Sequence, residues 1–286
     1  MRTKIFMMIA ALAMLSFSSC NKDATLIEQS SVDLADDDAV TNVAFDDVFN
    51  TVDNATIIME NLMSTGKGDF GSEIALADSC PTITISAGGF PKTITVNYGT
   101  GCFGFNGSTR SGKIVINVTD KRNVVNSTRT VTFDNYYFNG IKVEGTKVIK
   151  TLPPNSNQNQ LLSVKLTNGK LTLPDGKTIE RAFEHQREWI SGWNTPKNIW
   201  DDEWLITGTA TGKNINGIAY TNTILTALHW KRVCEFLVSG TIKLERSGVD
   251  SVILDYGKGE CDAIATVNRG DQTKTITLRH KHRLML

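Results

Sequence analysis

Apolar and polar residues alternate along most of the chain after residue 80. Segments such as PTITI, VTFDNYYF, IKVEGTKVI and LLSVKL place an apolar side chain at about every second position, which is the period of a strand with one buried face. Turn-forming pairs separate the segments: Gly88-Gly89, Asn139-Gly140, Asn168-Gly169, Asn216-Gly217 and Ser247-Gly248, with Pro174-Asp175-Gly176 as a further turn. Asn-Gly supplies the positive φ values that a tight hairpin turn requires. The pattern predicts a mainly β body over residues 80–286. We expect a large antiparallel meander of a dozen or more strands, curled into a sandwich or a partly closed half-barrel.

A different period precedes the strands. Apolar residues recur at spacings of three and four, and acidic residues lie between them (apolar positions: Val40, Val43, Ala44, Phe45, Val48, Phe49 and Val52). This pattern predicts an amphipathic helix over residues 37–65, ending before Gly66. Asp36, Asp37 and Asp38 would then place negative charge at its first turn, where the helix dipole favours it. We expect the apolar face to pack on the β body; a partner-binding helix is the alternative.

The first residues are typical of an exported protein. Arg2 and Lys4 precede an apolar run from Ile5 to Leu15, which is too short to span a bilayer. Ser18 and Ser19 follow, so residues 1–19 read as a signal peptide. The sequence from Leu15 to Cys20 resembles the bacterial lipobox, in which the cysteine is acylated and becomes the first mature residue. Residues 20–36 are then a lipidated cysteine and an acidic tether, and the acyl chains hold the protein on a membrane.

Charge is divided unevenly along the chain, although the formal net charge of the whole is +0. Residues 21–79 contain thirteen acidic side chains and only two lysines, whereas residues 80–286 contain 26 basic and 17 acidic side chains. We therefore expect the acidic helix to find its complement on the basic body.

The four remaining cysteines predict two disulfides, because an even number in an exported chain favours pairing. VNYGTGC ends at Cys102 and LDYGKGEC ends at Cys261, and each follows two strands that begin at another cysteine, Cys80 or Cys234. Three pairings are possible, and the hairpin pattern favours Cys80–Cys102 and Cys234–Cys261. Each bridge would contribute about 3–4 kcal/mol. No helix follows either Gly-x-Gly, so the motif does not indicate phosphate binding.

The segment WISGWNTPKNIWDDEW, residues 189–204, holds four of the five tryptophans together with three acids. Indole rings stack on sugars and carboxylates accept their hydroxyls, so Trp193, Trp200, Asp202 and Trp204 are candidate ligand-binding residues. The simpler interpretation is that the tryptophans belong to the core, and under it Trp200→Ala should destabilise the fold strongly.

The sequence offers no basis for assigning catalysis. It lacks a serine nucleophile elbow, an HExxH motif and any metal-ligand spacing, so we predict no catalytic residues, no metal and no cofactor. The basic body also lacks nucleic-acid-binding motifs, and we expect no nucleic acid partner.

Several of these features together resemble a family of outer-membrane and surface lipoproteins of Bacteroidota. They are the lipobox, the acidic linker and helix, YGTGC followed by Arg110 and Gly112, ITGTATG at 206–212, and the terminal DYGKGECD. The resemblance implies export, an outer-membrane anchor at Cys20 and an all-β body, but no activity. The side of the membrane stays open.

Three functions remain in view. The first is a non-enzymatic, lipid-anchored envelope protein whose β body is structural or ligand-binding. The second is a carbohydrate-binding or carbohydrate-active surface lipoprotein that uses residues 189–204. The third is a carrier of an apolar ligand, with a groove that the N-terminal helix caps. The expected partners are the membrane, through the anchor, and either another envelope protein or a glycan.

Overall fold

The computed structural model describes residues 27–65, 73–75, 80–104, 107–195 and 198–278. The predicted signal peptide 1–19 and the lipidation site Cys20 lie outside these residues. Within them the chain forms one long helix, α1 (Gln29–Ser64), and fifteen strands. The strands are β1 (Glu73–Ala75), β2 (Thr82–Ile85), β3 (Lys92–Asn97), β4 (Cys102–Phe103), β5 (Thr109–Val118), β6 (Thr128–Phe138), β7 (Ile141–Leu152), β8 (Gln160–Thr172), β9 (Thr178–Ser191), β10 (Glu203–Lys213), β11 (Ala219–Lys231), β12 (Ser239–Arg246), β13 (Val249–Lys258), β14 (Ile264–Arg269) and β15 (Gln272–Thr277).

The strands make one antiparallel sheet in which nearly every strand pairs with its neighbours in sequence. The order runs from β1 to β15 without a crossover, and only β4 leaves the path, pairing with β5 alone. Among the described residues the two edges, β1 and β15, do not pair with each other, so the sheet is open. The predicted mainly β meander is confirmed, and it forms a single sheet rather than the two sheets of a sandwich.

Contacts with the helix reveal that the sheet is curled. Asp53 of α1 lies 3.6 Å from Arg122, between β5 and β6, and 3.5 Å from Arg232, directly after β11. Strands in a sheet are spaced by about 4.8 Å, so in a flat sheet these two sites would be about 25 Å apart. The sheet therefore wraps around α1 as a half-barrel.

The helix supplies the centre of the core. Phe45, Val48, Phe49 and Val52 are all buried, and they belong to one hydrophobic cluster with inward residues from strands along the sheet. A curled sheet with one apolar face must cover that face, and here the helix does so in place of a second sheet. The prediction that the apolar face of the helix packs on the body is confirmed.

Helix α1 begins eight residues earlier than the pattern predicts, at Gln29 rather than at residue 37. The second half of the proposed tether is therefore helical, and Asp37 and Asp38 are buried in the helix interior instead of lying at its start. Tertiary contacts explain the difference: Leu34 and Ala35 are buried against the sheet. Packing of this kind, more than propensity, stabilises most protein helices.

The turn predictions hold at most positions. Asn139 and Gly140 join β6 to β7 with φ values of 51° and 76°, and the turns containing Gly176, Gly217 and Gly248 join the expected neighbours.

The predicted hairpin at Asn168-Gly169 is wrong. These residues lie inside β8, which pairs with β7 and β9 on both sides of them, and the register with β9 shifts between Leu166 and Gly169. Asn168 has a φ of 51°, so the pair forms a bulge. A Cβ added to Gly145 on β7 would lie 2.9 Å from the Cα of Gly169, so the two backbones approach closely here.

The disulfides are the two that the sequence predicts. Cys80–Cys102 closes the β2–β3 hairpin with a Cα–Cα distance of 5.8 Å, and Cys234–Cys261 closes the β12–β13 hairpin with a distance of 5.2 Å.

Candidate functional site

The most polar part of the interior lies between the helix and the concave face of the sheet. Acidic residues of α1 meet arginines of the body in a series that we call the ion-pair row: Asp38–Arg181, Asp46–Arg187, Asp47–Arg110, and Asp53 with Arg122 and Arg232. The expected complement between the acidic helix and the basic body is thus made by specific side chains.

The pair Asp38–Arg181 is the most buried of the row, with side chains 0% and 1% exposed. Asn222 on β11 donates a second hydrogen bond to the Asp38 carboxylate, at 2.8 Å, and Arg181 also donates to the hydroxyl of Tyr220, at 2.9 Å. A buried charge needs such additional partners, because burial removes the water that would otherwise solvate it.

Strand alternation places the arginines of β9 on the concave face. Ile179, Arg181, Phe183, Arg187 and Trp189 are buried at odd positions, so the two arginines stand in a row of apolar side chains and point at the helix. The local sequence IERAFEHQREW carries this signal, but it identifies the partners only once the position of the helix is known.

Two further basic groups lie in the same layer. Lys147 on β7 is fully buried, donates to the main-chain oxygen of Phe45 at 2.6 Å, and lies over the ring of Phe49. Burial, reinforced by the charge of Arg187, lowers the pKa of Lys147 to about 7. Burial and the charges of Arg181 and Arg187 also hold the pKa of His185 well below its usual value, so that imidazole is neutral at pH 7.

The repeated Tyr-Gly-x-Gly motif also contributes a side chain that packs against the helix. Tyr98, which follows β3, is buried, and its hydroxyl lies 3.2 Å from that of Thr51. Tyr256 on β13 is buried in the second copy and shares a small cleft with Ala39 and Asn42 of α1. Each copy thus places one tyrosine ring against the helix near its disulfide.

The tryptophan segment divides into buried and exposed parts. The rings of Trp189 and Trp204 lie 4.1 Å apart between centroids, and Trp193 meets Trp189 edge-on at 4.8 Å. Trp204, which is 1% exposed, also contacts Phe49 of the helix at 5.5 Å. The guanidinium of Arg122 lies over both Trp189 and Trp193, at 5.7 and 5.3 Å, so this cluster connects the ion-pair row to the core.

Asp202 belongs to the same buried network. Its carboxylate accepts from Arg232 at 3.0 Å, and burial raises its pKa to about 6 despite that partner. Gly192 passes so close that an added Cβ would lie 2.8 Å from the Cα of Asp202. The carboxylate is therefore enclosed by protein groups.

Trp200 is the exception in the segment. It lies in a single 3₁₀ turn, Ile199–Asp201, and is 51% exposed. The side chain of Asn198 accepts from the main-chain N–H of Trp200, and Thr195 donates to the Asp201 carboxylate at 2.8 Å. These bonds fix the backbone of the turn that carries the half-exposed indole, at the end of the body where the β9–β10 loop lies.

Of the four candidate ligand residues, the structure places Trp193 and Trp204 in one aromatic cluster and Asp202 in the adjacent ion pair. Only Trp200 presents a large part of its ring to solvent. Trp204 and Asp202 face the interior, so neither offers a surface to a ligand in this conformation. The ion-pair row, which the sequence indicated only as a charge imbalance, is the larger polar feature.

No family model, curated protein or solved structure matches this chain. Within the described ranges, no cluster of three or more His, Cys, Asp or Glu side chains could hold a metal ion. The search for a helix long and apolar enough to cross a membrane found none among those same residues.

Proposed function

We propose that this protein is a lipid-anchored envelope protein with a non-enzymatic β body, held at the outer membrane by Cys20. The observation that supports a non-enzymatic body is that its concave face is already occupied. The side of the sheet that could form a binding groove is filled by the protein's own helix.

The state of the interior carboxylates supports a non-enzymatic body. General acid–base catalysis needs carboxylates that reach a substrate. Asp38, Asp47, Asp53 and Asp202 instead lie within 4 Å of arginines beneath the helix or the loops. Their charges balance those of the sheet, as expected for groups that fix the position of an element.

The anchor is tested by Cys20→Ala. The variant should appear in the soluble fraction and should not incorporate labelled palmitate, because the acylated thioether is lost. Ser19→Ala is the matched control: it keeps a small residue before the cysteine and should remain anchored. Retention of Cys20→Ala in the membrane pellet after a carbonate wash would contradict the anchor.

Carbohydrate binding is the second candidate, and the exposure of Trp200 favours it. The indole is half exposed on a turn whose backbone is fixed by hydrogen bonds, so it can stack against a sugar ring with little rearrangement of the turn; Thr195 and Asp201 lie on the same turn. If the protein binds a carbohydrate in this way, Trp200 is the only one of the four candidate residues that forms part of the binding surface.

Affinity electrophoresis in gels containing soluble xylan, laminarin or starch tests this candidate. Trp200→Ala should lose any retardation that the wild type exhibits. Val233→Ala, which removes another exposed apolar side chain, from the loop between β11 and β12, should keep it. Equal retardation of the two variants would contradict a role for Trp200.

The carrier of an apolar ligand ranks third. Such a ligand would have to displace α1, and with it the ion-pair row, before it reached the concave face. Another envelope protein would bind the outer surface, because α1 fills the concave face.

A further inference from the structure

We infer that the protein stands on the membrane in one preferred orientation, with the hairpin turns after β12 and β14 nearest the lipid surface and the long loops pointing away. This inference rests on the proposed anchor at Cys20. It goes beyond that anchor because it identifies the end of the body that faces the bilayer.

The first step is the length of the tether. Because α1 begins at Gln29, only eight residues separate it from Cys20. A fully extended chain spans about 3.5 Å per residue, so the reach is about 30 Å. The tether expected from the sequence alone, which ran to residue 36, would have reached about twice as far.

The second step is the place where the helix begins. Arg246, the last residue of β12, donates to Glu28 at 3.0 Å and to Ser30 at 2.6 Å. Lys274 on β15 donates to the side chain of Gln29 at 3.2 Å. The start of α1 is therefore fixed beside the turns at 247–248 and 270–271.

The third step is the direction of the strands. Antiparallel connectivity puts the turns at 174–176, 214–217, 247–248 and 270–271 at one end of the sheet, which we call the turn end. The connections 119–127, 153–159 and 232–238, and the described parts of the β9–β10 connection (192–195 and 198–202), lie at the opposite end, the loop end. β8 has thirteen residues, and at about 3.3 Å per residue it separates the two ends by about 40 Å.

A short tether at the turn end therefore keeps that end close to the lipid. Four exposed apolar side chains, Val124, Val125, Trp200 and Val233, lie at the loop end, on the side that faces away from the membrane. There they are accessible to soluble partners and to glycans. Two others, Phe103 and Ile218, lie at the turn end, on the side that faces the lipid.

Energy transfer to membrane acceptors tests the orientation. Asp271→Cys labels the turn end and Asn157→Cys labels the loop end; both sites are exposed, and the four cysteines of the body are paired. The full-length lipidated protein is placed in phosphatidylethanolamine–phosphatidylglycerol vesicles that carry an acceptor lipid. We expect at least twofold higher transfer from the dye at residue 271 than from the dye at residue 157.

A longer tether provides the control. Inserting twelve Gly/Ser residues after Ala24 should reduce the transfer at residue 271 toward that at residue 157, because the body can then turn freely. Arg246→Ala should act in the same direction by freeing the helix start. Anchored protein with equal transfer from both sites would overturn the orientation alone. Protein without an acyl group on Cys20 would overturn the anchor and the orientation together.

Discussion

At the scale of single residues, the face on which a side chain lies decides its role. Trp200 and Trp204 are four positions apart in a segment of uniform composition, yet one is 51% exposed and the other 1%. The difference arises because Trp204 lies at an inward position of β10, whereas Trp200 lies in the loop before it. Composition therefore predicted an aromatic segment, and strand geometry separated its members.

These two tryptophans lead to opposite stability predictions. Trp200→Ala should lower the free energy of unfolding by less than about 2 kcal/mol, because half of the ring already faces solvent and its loss leaves only a small cavity. The strong destabilisation expected on the core interpretation belongs instead to Trp204→Ala, at about 3–5 kcal/mol. Urea unfolding of both variants measures the difference. A loss above about 2 kcal/mol in Trp200→Ala would contradict the exposed position.

Lys147 makes stability depend on pH. Its pKa is about 7 in the folded protein and close to 10.5 when unfolded, so between these values the unfolded chain binds more protons and stability rises with pH. Lys147→Met removes this titration. The stability of the wild type relative to Lys147→Met should therefore rise by at least about 1.4 kcal/mol, the equivalent of one pKa unit, between pH 7 and pH 9.5. Parallel pH profiles from urea unfolding would contradict the prediction.

At the scale of elements, the ion-pair row fixes the register of the helix along the sheet. Apolar packing alone would allow α1 to shift by a turn, because Phe45, Val48, Phe49 and Val52 present a repeating surface. A shift by one turn would carry the aspartates of the row away from their arginines and would leave charges buried without partners. The row thus contributes specificity more than net stability.

The pair Asp38–Arg181 provides a test by double-mutant cycle. Asp38→Asn and Arg181→Met should each destabilise by about 3–5 kcal/mol, because each leaves the other charge buried and unpaired. The double variant should lose less than the sum by at least about 2 kcal/mol. The surface pair Lys165–Glu184 on the outer face of β8 and β9 is the control: Glu184→Gln should change stability by less than about 1 kcal/mol. Additive losses at Asp38 and Arg181 would exclude coupling.

At the scale of the whole molecule, helix and sheet form one folding unit. The hydrophobic cluster includes α1 and strands from both halves of the sheet, so neither part retains a core without the other. Each disulfide closes one local hairpin and does not connect the two halves of the sheet. The helix, which packs against both halves, connects them.

Unfolding should accordingly be a single cooperative transition. Far-UV circular dichroism, which follows the helix, and tryptophan fluorescence, which follows the cluster around Trp204, should give coincident urea curves. Val48→Asp, which places a carboxylate at a fully buried helix position, should weaken both signals together. Loss of helix at lower urea than loss of fluorescence would show that α1 can leave the groove, and it would favour the apolar-carrier alternative.

Local chemistry determined much of this protein. The alternation of apolar and polar residues predicted the mainly β body, and glycine-containing pairs predicted most of its turns. The position of each cysteine beside a hairpin predicted both disulfides. These features depend on interactions between residues that are at most about thirty positions apart, so the sequence pattern alone can predict them. Alternation also placed Arg181 and Arg187 on one face of β9, although it did not name their partners.

Tertiary structure decided the rest, because the deciding contacts join residues far apart in sequence. Asn168-Gly169 became a bulge because β8 has a neighbour to pair with on each side of it. The helix extended back to Gln29 because the sheet buries its first turns and Arg246 holds its start. The acidic residues of α1 became an ordered row of ion pairs because the sheet curls far enough for Arg122 and Arg232 to reach the same aspartate. A sequence pattern specifies which face of an element is buried, but only the packed molecule specifies what lies opposite that face.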